Sequence, residues 1–137
     1  MIEGVSHITF VVCDLERMAD FLNGIFDAEE VYESGNATHS ISRERFFLIG
    51  GQWIAIMEGE SLPEATYNHV AFRIMDDDFD MYVERVRQLG VEMRMGRPRI
   101  EGEAQSLYFY DYDNHLFELH TGTLNERLEG YALADRA

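Results

Sequence analysis

Two segments of this chain repeat one pattern, and the repeat limits the folds that the chain can adopt. Residues 5–12 read VSHITFVV and residues 67–74 read YNHVAFRI, so the repeat superimposes His7 on His69. Each run is rich in β-branched and aromatic side chains and alternates with a period of two, which is typical of a half-buried strand. We therefore expect two copies of one unit, with a histidine at the same strand position in each copy.

A helical pattern follows each of these strands. In the first copy Asp14 is a predicted N-cap, and apolar residues recur at three- and four-residue steps at Leu15, Met18, Leu22 and Ile25. In the second copy the acidic residues 76–78 form the predicted helix N-terminus and Gly90 the predicted stop. The apolar stripe between them comprises Phe79, Tyr82, Val83, Val86 and Leu89.

Three strand-like segments follow each helix. They are residues 30–34, 45–49 and 53–57 in the first copy, and 91–95, 106–110 and 116–120 in the second. The predicted unit is βαβββ, used twice in an α+β fold. The predicted division is module one at 1–59, a linker at 60–65, module two at 66–123 and a C-terminal tail at 124–137, with a long loop at 97–105 and a short helix in the tail.

Composition excludes several classes of protein. The 137 residues, 46% of them hydrophobic, suit a single domain, and no apolar run approaches the ~20 residues of a membrane span. A net charge of −15 repels nucleic acid and anionic membranes, so we expect neither as a partner. Cys13 is the single cysteine and no secretory leader opens the chain, which predicts a cytoplasmic protein that begins at Met1.

Strand alternation brings polar residues onto defined faces. It places His7 with Thr9 and Val11, and Glu118 with Leu116 and His120. Aligning Gly59 with Gly122 superimposes Ala55 on Glu118, so four related positions hold His7, Ala55, His69 and Glu118. Two imidazoles and one carboxylate with open positions suit Mn(II), Fe(II) or a similar ion that also binds substrate.

Each of these residues also has an ordinary structural interpretation. A single histidine is more often a hydrogen-bonded core or surface residue, and a single glutamate more often a surface acid. The relation between equivalent positions of the repeat is what favours a metal site. His39, His115 and His120 lack that relation and are predicted to be structural or exposed, with His120 as an alternative ligand.

The motifs resemble the vicinal oxygen chelate superfamily, in which paired βαβββ modules close a cup around a metal. Within it the chain is most similar to the fosfomycin-resistance proteins. The resemblance covers nearly the whole chain and is strongest at SHIT (6–9), YNHVAF (67–72), SLYFYD (106–111), NHLFELH (114–120) and GTLNERL (122–128). It implies a metal, Mn(II) or another divalent ion, bound by His7, His69 and Glu118.

The segment SISRERFF (40–47) resembles the water-using, FosX-type hydrolases. The resemblance implies that Glu44 is the general base in hydration of the fosfomycin epoxide to a diol, with inversion at the phosphorus-bearing carbon. It implies phosphonate donors at Thr9, Ser106, Tyr108 and Arg127, with a further cation from Arg94 or its neighbours up to Arg99. Tyr67 and Trp53 are candidate pocket walls, and core packing is an equal alternative for Trp53.

Family dimers exchange modules, which implies a homodimer in which His7 comes from one subunit and His69 with Glu118 from the other. A thiol transferase of the same family is an alternative that needs the metal but not Glu44. A non-catalytic antibiotic-binding protein is another, and a metal-dependent isomerase or extradiol dioxygenase is a third. The phosphonate-binding residues would have no purpose in the last class.

Overall fold

A computed structural model of the chain describes residues 1–96 and 104–136. The first module contains β1 (His7–Val12), α1 (Leu15–Phe26), β2 (Glu29–Glu33), β3 (Glu44–Ile49) and β4 (Gln52–Glu58). The second contains β5 (His69–Arg73), a 3₁₀ turn (Asp76–Asp78), α2 (Phe79–Leu89), β6 (Met93–Met95), β7 (Ser106–Tyr110) and β8 (Leu116–His120), and α3 (Leu124–Arg136) follows. The predicted βαβββ order is confirmed in both modules.

The two sheets have the same topology. The first sheet has the strand order β1-β4-β3-β2 and the second has the order β5-β8-β7-β6. In each sheet the strand that carries the histidine pairs in parallel with the last strand of its module, and the other pairs are antiparallel. Identical strand orders and pairings confirm that the sequence repeat is a structural duplication.

The chain divides into two compact units. The first unit comprises residues 1–66 with 111–115, and the second comprises residues 67–110 with 116–137. Polar contacts explain why the turn at 111–115 groups with the first unit. Asp113 Oδ1 accepts hydrogen bonds from the backbone N–H of Cys13 at 3.0 Å and from the Ser61 hydroxyl at 2.5 Å. The side chain of Asp111 in turn accepts from two backbone N–H groups of the turn.

Helix α1 begins and ends as its sequence predicts. The Asp14 side chain accepts a hydrogen bond from the backbone N–H of Arg17 at 3.0 Å, which satisfies one of the free donors of the first turn. Asp27 ends the helix in the left-handed conformation, with its N–H bonded to the Asn23 carbonyl. All four predicted core positions of the helix are buried: Leu15, Met18, Leu22 and Ile25.

Helix α2 differs in detail from the prediction. Residues Asp76–Asp78 form a separate 3₁₀ turn, and α2 begins at Phe79. Asp78 has a helical rather than an extended backbone and its side chain makes no capping hydrogen bond, so the acidic residues act through their charge near the helix N-terminus. Gly90 ends the helix with φ of 69°, as predicted.

The remaining boundaries agree within about two residues, the usual uncertainty of an element end. Strand β6 begins at Met93 instead of residue 91, and the tail helix α3 begins at Leu124. Within residues 1–96 and 104–136, no helix has both the length and the apolar character that crossing a bilayer requires.

Candidate metal and substrate site

The second sheet arranges its polar residues in rows. Residues paired directly across neighbouring strands share a face, so the register defines which side chains lie side by side. The middle row comprises Ala71, Glu118, Tyr108 and Arg94. The two rows that flank it on the same face comprise His69, Leu116 and Tyr110, and Arg73, His120 and Ser106. The predicted face that carries Leu116, Glu118 and His120 is present, and the register adds His69 to it.

Glu118 and His69 form the closest pair of predicted ligands. The Nε2 atom of His69 lies 3.0 Å from Oε1 of Glu118. Only 5% of Glu118 is exposed, whereas His69 is exposed. A carboxylate buried to this degree requires partners, because its desolvation is costly. Here the partners are the imidazole on one oxygen and a hydroxyl on the other.

The backbone fixes the orientation of the His69 ring. Nδ1 of His69 lies 2.7 Å from the carbonyl oxygen of Tyr67, and a carbonyl only accepts, so Nδ1 carries the proton. In the neutral ring Nε2 then presents a lone pair to a carboxylate oxygen, and a shared proton or a metal ion is needed between them. Two metal ligands at right angles, each about 2.1 Å from the ion, are about 3.0 Å apart. The observed spacing therefore fits metal coordination.

Ser106 and His120 support the other side of the carboxylate. The Ser106 hydroxyl donates to Glu118 Oε2 at 2.7 Å, and the same oxygen atom of Ser106 lies 2.7 Å from Nδ1 of His120. On the far side of the ring, His120 Nε2 is 3.4 Å from a guanidinium nitrogen of Arg127. Four residues from β7, β8 and α3 are thus joined in one network. Sequence reasoning missed it, although alternation had placed His120 on the face of Glu118.

Two tyrosines lie beside the His69–Glu118 pair. The Tyr67 hydroxyl donates to the Tyr108 hydroxyl at 3.2 Å, and both rings contact the imidazole of His69. Burial raises the pKa of Tyr108 well above its usual range, and its contact with the Tyr67 hydroxyl and the charge of Glu118 add to this effect. Tyr108 therefore stays a neutral phenol whose O–H can donate to an anion.

The first sheet presents His7 in a different setting. His7 pairs across the sheet with Trp53, and the two rings stack with centroids 4.1 Å apart. Its Nδ1 atom lies 3.0 Å from the Ser6 hydroxyl oxygen, and the side chain is exposed. The indole therefore holds one face of the imidazole. Thr9 lies on the same face and pairs with Ala55.

Ala55 occupies the place in the first sheet that Glu118 occupies in the second. Ala55 pairs with Thr9, two residues after His7, and Glu118 pairs with Ala71, two residues after His69. The same comparison makes Glu44 the counterpart of Ser106, and Met57 the counterpart of His120. The alignment that superimposed Ala55 on Glu118 is therefore correct in three dimensions.

Glu44 begins β3 on the face that carries His7 and Thr9. Its row comprises Val11, Met57 and Glu44, and lies four residues along the strands from the row of His7. The residue is 8% exposed, and among residues 1–96 and 104–136 no hydrogen bond or ion pair to its carboxylate is found. Its backbone N–H is held by the Ser34 hydroxyl at 3.0 Å. The carboxylate therefore lies largely buried and unengaged within the described residues.

The remaining candidate residues differ in their exposure and in their partners. Arg94 faces the same side as Tyr108 but is well exposed and forms an ion pair with Glu92 at 2.9 Å. The neighbouring arginines, at 97 and 99, lie outside the described residues. His39 is exposed, and His115 pairs with Asp111 at 2.7 Å, in agreement with structural or solvent-facing roles. Within the described parts of one chain, no three or more His, Cys, Asp or Glu side chains form a metal-binding cluster.

Comparison with known proteins identifies the family. Residues 4–119 match the Glyoxalase/Bleomycin resistance protein/Dioxygenase superfamily. The fosfomycin resistance protein FosX of Listeria monocytogenes is 61% identical over 131 residues, which cover 96% of this chain and 98% of that protein. The FosX protein of Mesorhizobium japonicum is 65% identical, with coverage of 93% and 92%. This chain belongs to the FosX branch of the superfamily.

A solved structure of a FosX relative extends the comparison. A glutamate-to-glutamine variant of the Listeria protein contains Mn(II) and 1S,2S-dihydroxypropylphosphonic acid. It is 58% identical to this chain, superimposes with a TM-score of 0.86, and the match covers 96% of this chain and 99% of the relative. The resemblance to fosfomycin-resistance proteins inferred from the motifs, and the fold it implies, are confirmed.

Proposed function

We propose that this protein confers fosfomycin resistance by adding water to the epoxide of the drug, in a reaction that requires Mn(II) or another divalent ion. The observation that carries the proposal is the His69–Glu118 pair, whose 3.0 Å spacing fits two ligands of one metal beside a row of hydroxyl donors. The diol that accompanies Mn(II) in the Listeria relative is the compound that hydration of the epoxide yields.

The proposed metal ligands are His7, His69 and Glu118. They are the polar members of four equivalent positions in the duplicated fold, and Ala55 is the fourth. Two imidazoles and a carboxylate leave coordination positions open for substrate oxygens. A divalent ion held there supplies Lewis-acid stabilisation of the negative charge that develops on the epoxide oxygen as the ring opens.

Glu44 is the proposed general base. Its carboxylate is largely buried yet unengaged among the described residues, so it is free to take a proton from a water molecule. The hydroxide so formed attacks the carbon next to phosphorus from the side opposite the ring oxygen, which inverts that carbon. Water loses a proton to Glu44 and its oxygen bonds to the carbon. The ring carbon–oxygen bond breaks with its electron pair on the ring oxygen, which then receives a proton from solvent.

The phosphonate is the feature of the substrate that the polar rows recognise. We assign its binding to Thr9, Tyr67, Arg94, Tyr108 and Arg127. Ser106, which the resemblance also implies as a donor, gives its one hydroxyl hydrogen to Glu118 Oε2 and so acts through that carboxylate. Tyr108 supports this assignment because its raised pKa keeps it a donor, and Arg127 supports it because a guanidinium can make two charge-assisted bonds to one oxyanion. Local positive charge is necessary for an anionic substrate, since the whole chain carries a net charge of −15.

We further propose that the protein works as a homodimer in the cytoplasm, with each site using His7 of one subunit and His69 with Glu118 of the other. The support for the dimer is the membership in a family whose dimers exchange modules. The support for the compartment is Cys13, an exposed and unpaired thiol of a kind that persists in reducing surroundings.

Phosphorus NMR of fosfomycin incubated with the protein and Mn(II), with and without glutathione or cysteine, tests the proposal. The expected product is the diol under both conditions. Glu44→Gln is expected to slow diol formation by ~100-fold or more, the usual contribution of a general base. Glu29→Gln, at the exposed start of β2, is the matched control and should retain full activity.

Three outcomes would contradict the proposal. A thiol adduct that forms in place of the diol would make the protein a thiol transferase. Stoichiometric binding of fosfomycin with no turnover in the presence of Mn(II) would make it a sequestering protein. Full hydrolase activity in Glu44→Gln would remove the assignment of the base and leave the reaction class intact.

A further inference from the structure

We infer that His120 is a positioning residue that orients both the carboxylate of Glu118 and the guanidinium of Arg127. The inference rests on the proposed role of Glu118 as a metal ligand and of Arg127 as a phosphonate donor. In this role the neutral His120 ring carries its proton on Nδ1 and a lone pair on Nε2. No metal coordination by His120 is involved.

Hydrogen-bond chemistry fixes the direction of each contact. A guanidinium only donates, so Arg127 donates to His120 Nε2 at 3.4 Å and that nitrogen carries a lone pair. The proton of the neutral ring then resides on Nδ1, which donates to Ser106 Oγ at 2.7 Å. Ser106 has one hydroxyl hydrogen, and it points to Glu118 Oε2 at 2.7 Å. Every hydrogen bond of the network is therefore donated in the same direction, from Arg127 through His120 and Ser106 to Glu118.

The direction of these hydrogen bonds determines which carboxylate oxygen of Glu118 faces His69. With Oε2 engaged by Ser106, the other oxygen, Oε1, is the one that faces His69 Nε2 at 3.0 Å. His120 keeps the serine hydroxyl from rotating, because its N–H occupies a lone pair of the same oxygen. Partners of this kind behind a metal ligand set its orientation and raise affinity for the metal.

Comparison of the two modules indicates that the network serves the site and not the fold. The counterparts of Ser106, Glu118 and His120 in the first sheet are Glu44, Ala55 and Met57. The first sheet forms with the same strand order without any such network. Stability of the βαβββ unit therefore does not require it, and the network is found in the module that holds the carboxylate.

Gly122 lies against the same imidazole ring. A Cβ at this position would come within 3.0 Å of His120 Nε2 and 2.5 Å of the Ala104 Cβ. The absence of a side chain thus leaves the space in which the imidazole reaches toward Arg127.

Two amide substitutions separate the contacts of the ring. Asparagine places an amide near the position of Nδ1, so His120→Asn keeps a donor for Ser106 and loses the acceptor for Arg127. Glutamine reaches to the position of Nε2, so His120→Gln keeps an acceptor for Arg127 and loses the donor for Ser106. His39→Gln, at an exposed histidine that takes part in none of these hydrogen bonds, is the control.

The first measurement uses the metal-free protein and does not depend on catalysis. A long-range ¹H–¹⁵N NMR spectrum of the histidine rings is expected to show His120 with its proton on Nδ1. An Nε2-protonated ring would overturn the inference. Failure of the proposed function would not change this result, so the two failures are distinguishable.

The second measurement titrates Mn(II) and follows free ion by EPR. His120→Gln is expected to raise the Kd for Mn(II) ~10-fold or more, the usual effect of losing such a partner, and His120→Asn to leave it near the wild-type value. In steady-state assays His120→Asn should instead raise KM for fosfomycin, with a smaller change in kcat. If both variants bind Mn(II) as wild type does and have an unchanged KM, His120 has no positioning role.

Discussion

His69 Nε2 and Glu118 Oε1 are 3.0 Å apart on neighbouring parallel strands, and His69 pairs not with Glu118 but with Leu116, two residues earlier. This stagger lets one imidazole and one carboxylate point to a common centre.

Glu118→Gln keeps the size of the side chain and removes its charge, so we expect at least a ~100-fold loss of Mn(II) affinity, which is more than the loss expected for a residue that only supports a ligand. EPR titration measures it, with Glu129→Gln on α3 as the control. Unchanged affinity would show that Glu118 is not a ligand.

A mixed dimer tests whether sites are shared between subunits. His7→Ala and Glu118→Gln should each inactivate the homodimer. When the two variants are co-expressed with different tags, the heterodimer keeps one complete set of ligands, and about half of the wild-type activity should return because a twofold dimer has two equivalent sites. An inactive heterodimer would place all ligands of a site in one chain.

The stack of His7 on Trp53 provides an optical test of the proposal that His7 is a metal ligand. Trp53 is the single tryptophan of the chain, and its ring lies 4.1 Å from the imidazole. A paramagnetic ion on His7 would lie close enough to quench its fluorescence, so Co(II) titration should lower the emission to a plateau. His7→Ala should abolish this change. Equal quenching in that variant would indicate that the ion binds elsewhere.

The ion pair between Glu30 and Arg45 predicts a pH dependence of stability. The hydrogen bond from Arg45 lowers the pKa of Glu30, so the pair stabilises the fold above the pKa of an unfolded glutamate. That stabilisation is lost as the pH falls through the lowered pKa of the folded state. Glu30→Gln should reduce the free energy of unfolding at pH 7 by at most ~1 kcal/mol, because the pair is partly exposed.

Urea denaturation at neutral and acidic pH measures this difference. Wild type should be more stable than Glu30→Gln at neutral pH, and the difference should vanish in acid. The neighbouring substitution Glu29→Gln, which affects an exposed side chain, serves as the control. A difference between wild type and Glu30→Gln that persists unchanged in acid would mean that the ion pair is not its origin.

Much of this architecture is readable from the sequence because it depends on periodicity. The alternation around His7 and His69 predicts both strands and their faces, and the spacing in α1 predicts its buried residues. The alignment of the two copies even predicts that Ala55 and Glu118 are equivalent. These are properties of backbone geometry, which residue type and spacing largely determine.

The parts that could not be predicted depend on side-chain orientation. Alternation places His120 beside Glu118 but does not reveal that Ser106 lies between them, since that contact joins two strands through their register. The 3₁₀ turn at Asp76–Asp78 likewise depends on a local backbone choice that an acidic run does not specify. The role of Glu44 came from resemblance alone and stays a prediction.

The uncharged side chain of Ala55 affects the net charge of the proposed metal centre. A divalent ion held by two neutral imidazoles and a single carboxylate would keep one unit of positive charge, and a phosphonate dianion is attracted to it. A glutamate at position 55 would cancel that excess and leave the drug facing an uncharged centre in a strongly acidic protein. In the proposed site, alanine at position 55 would thus preserve the surplus positive charge that attracts the substrate.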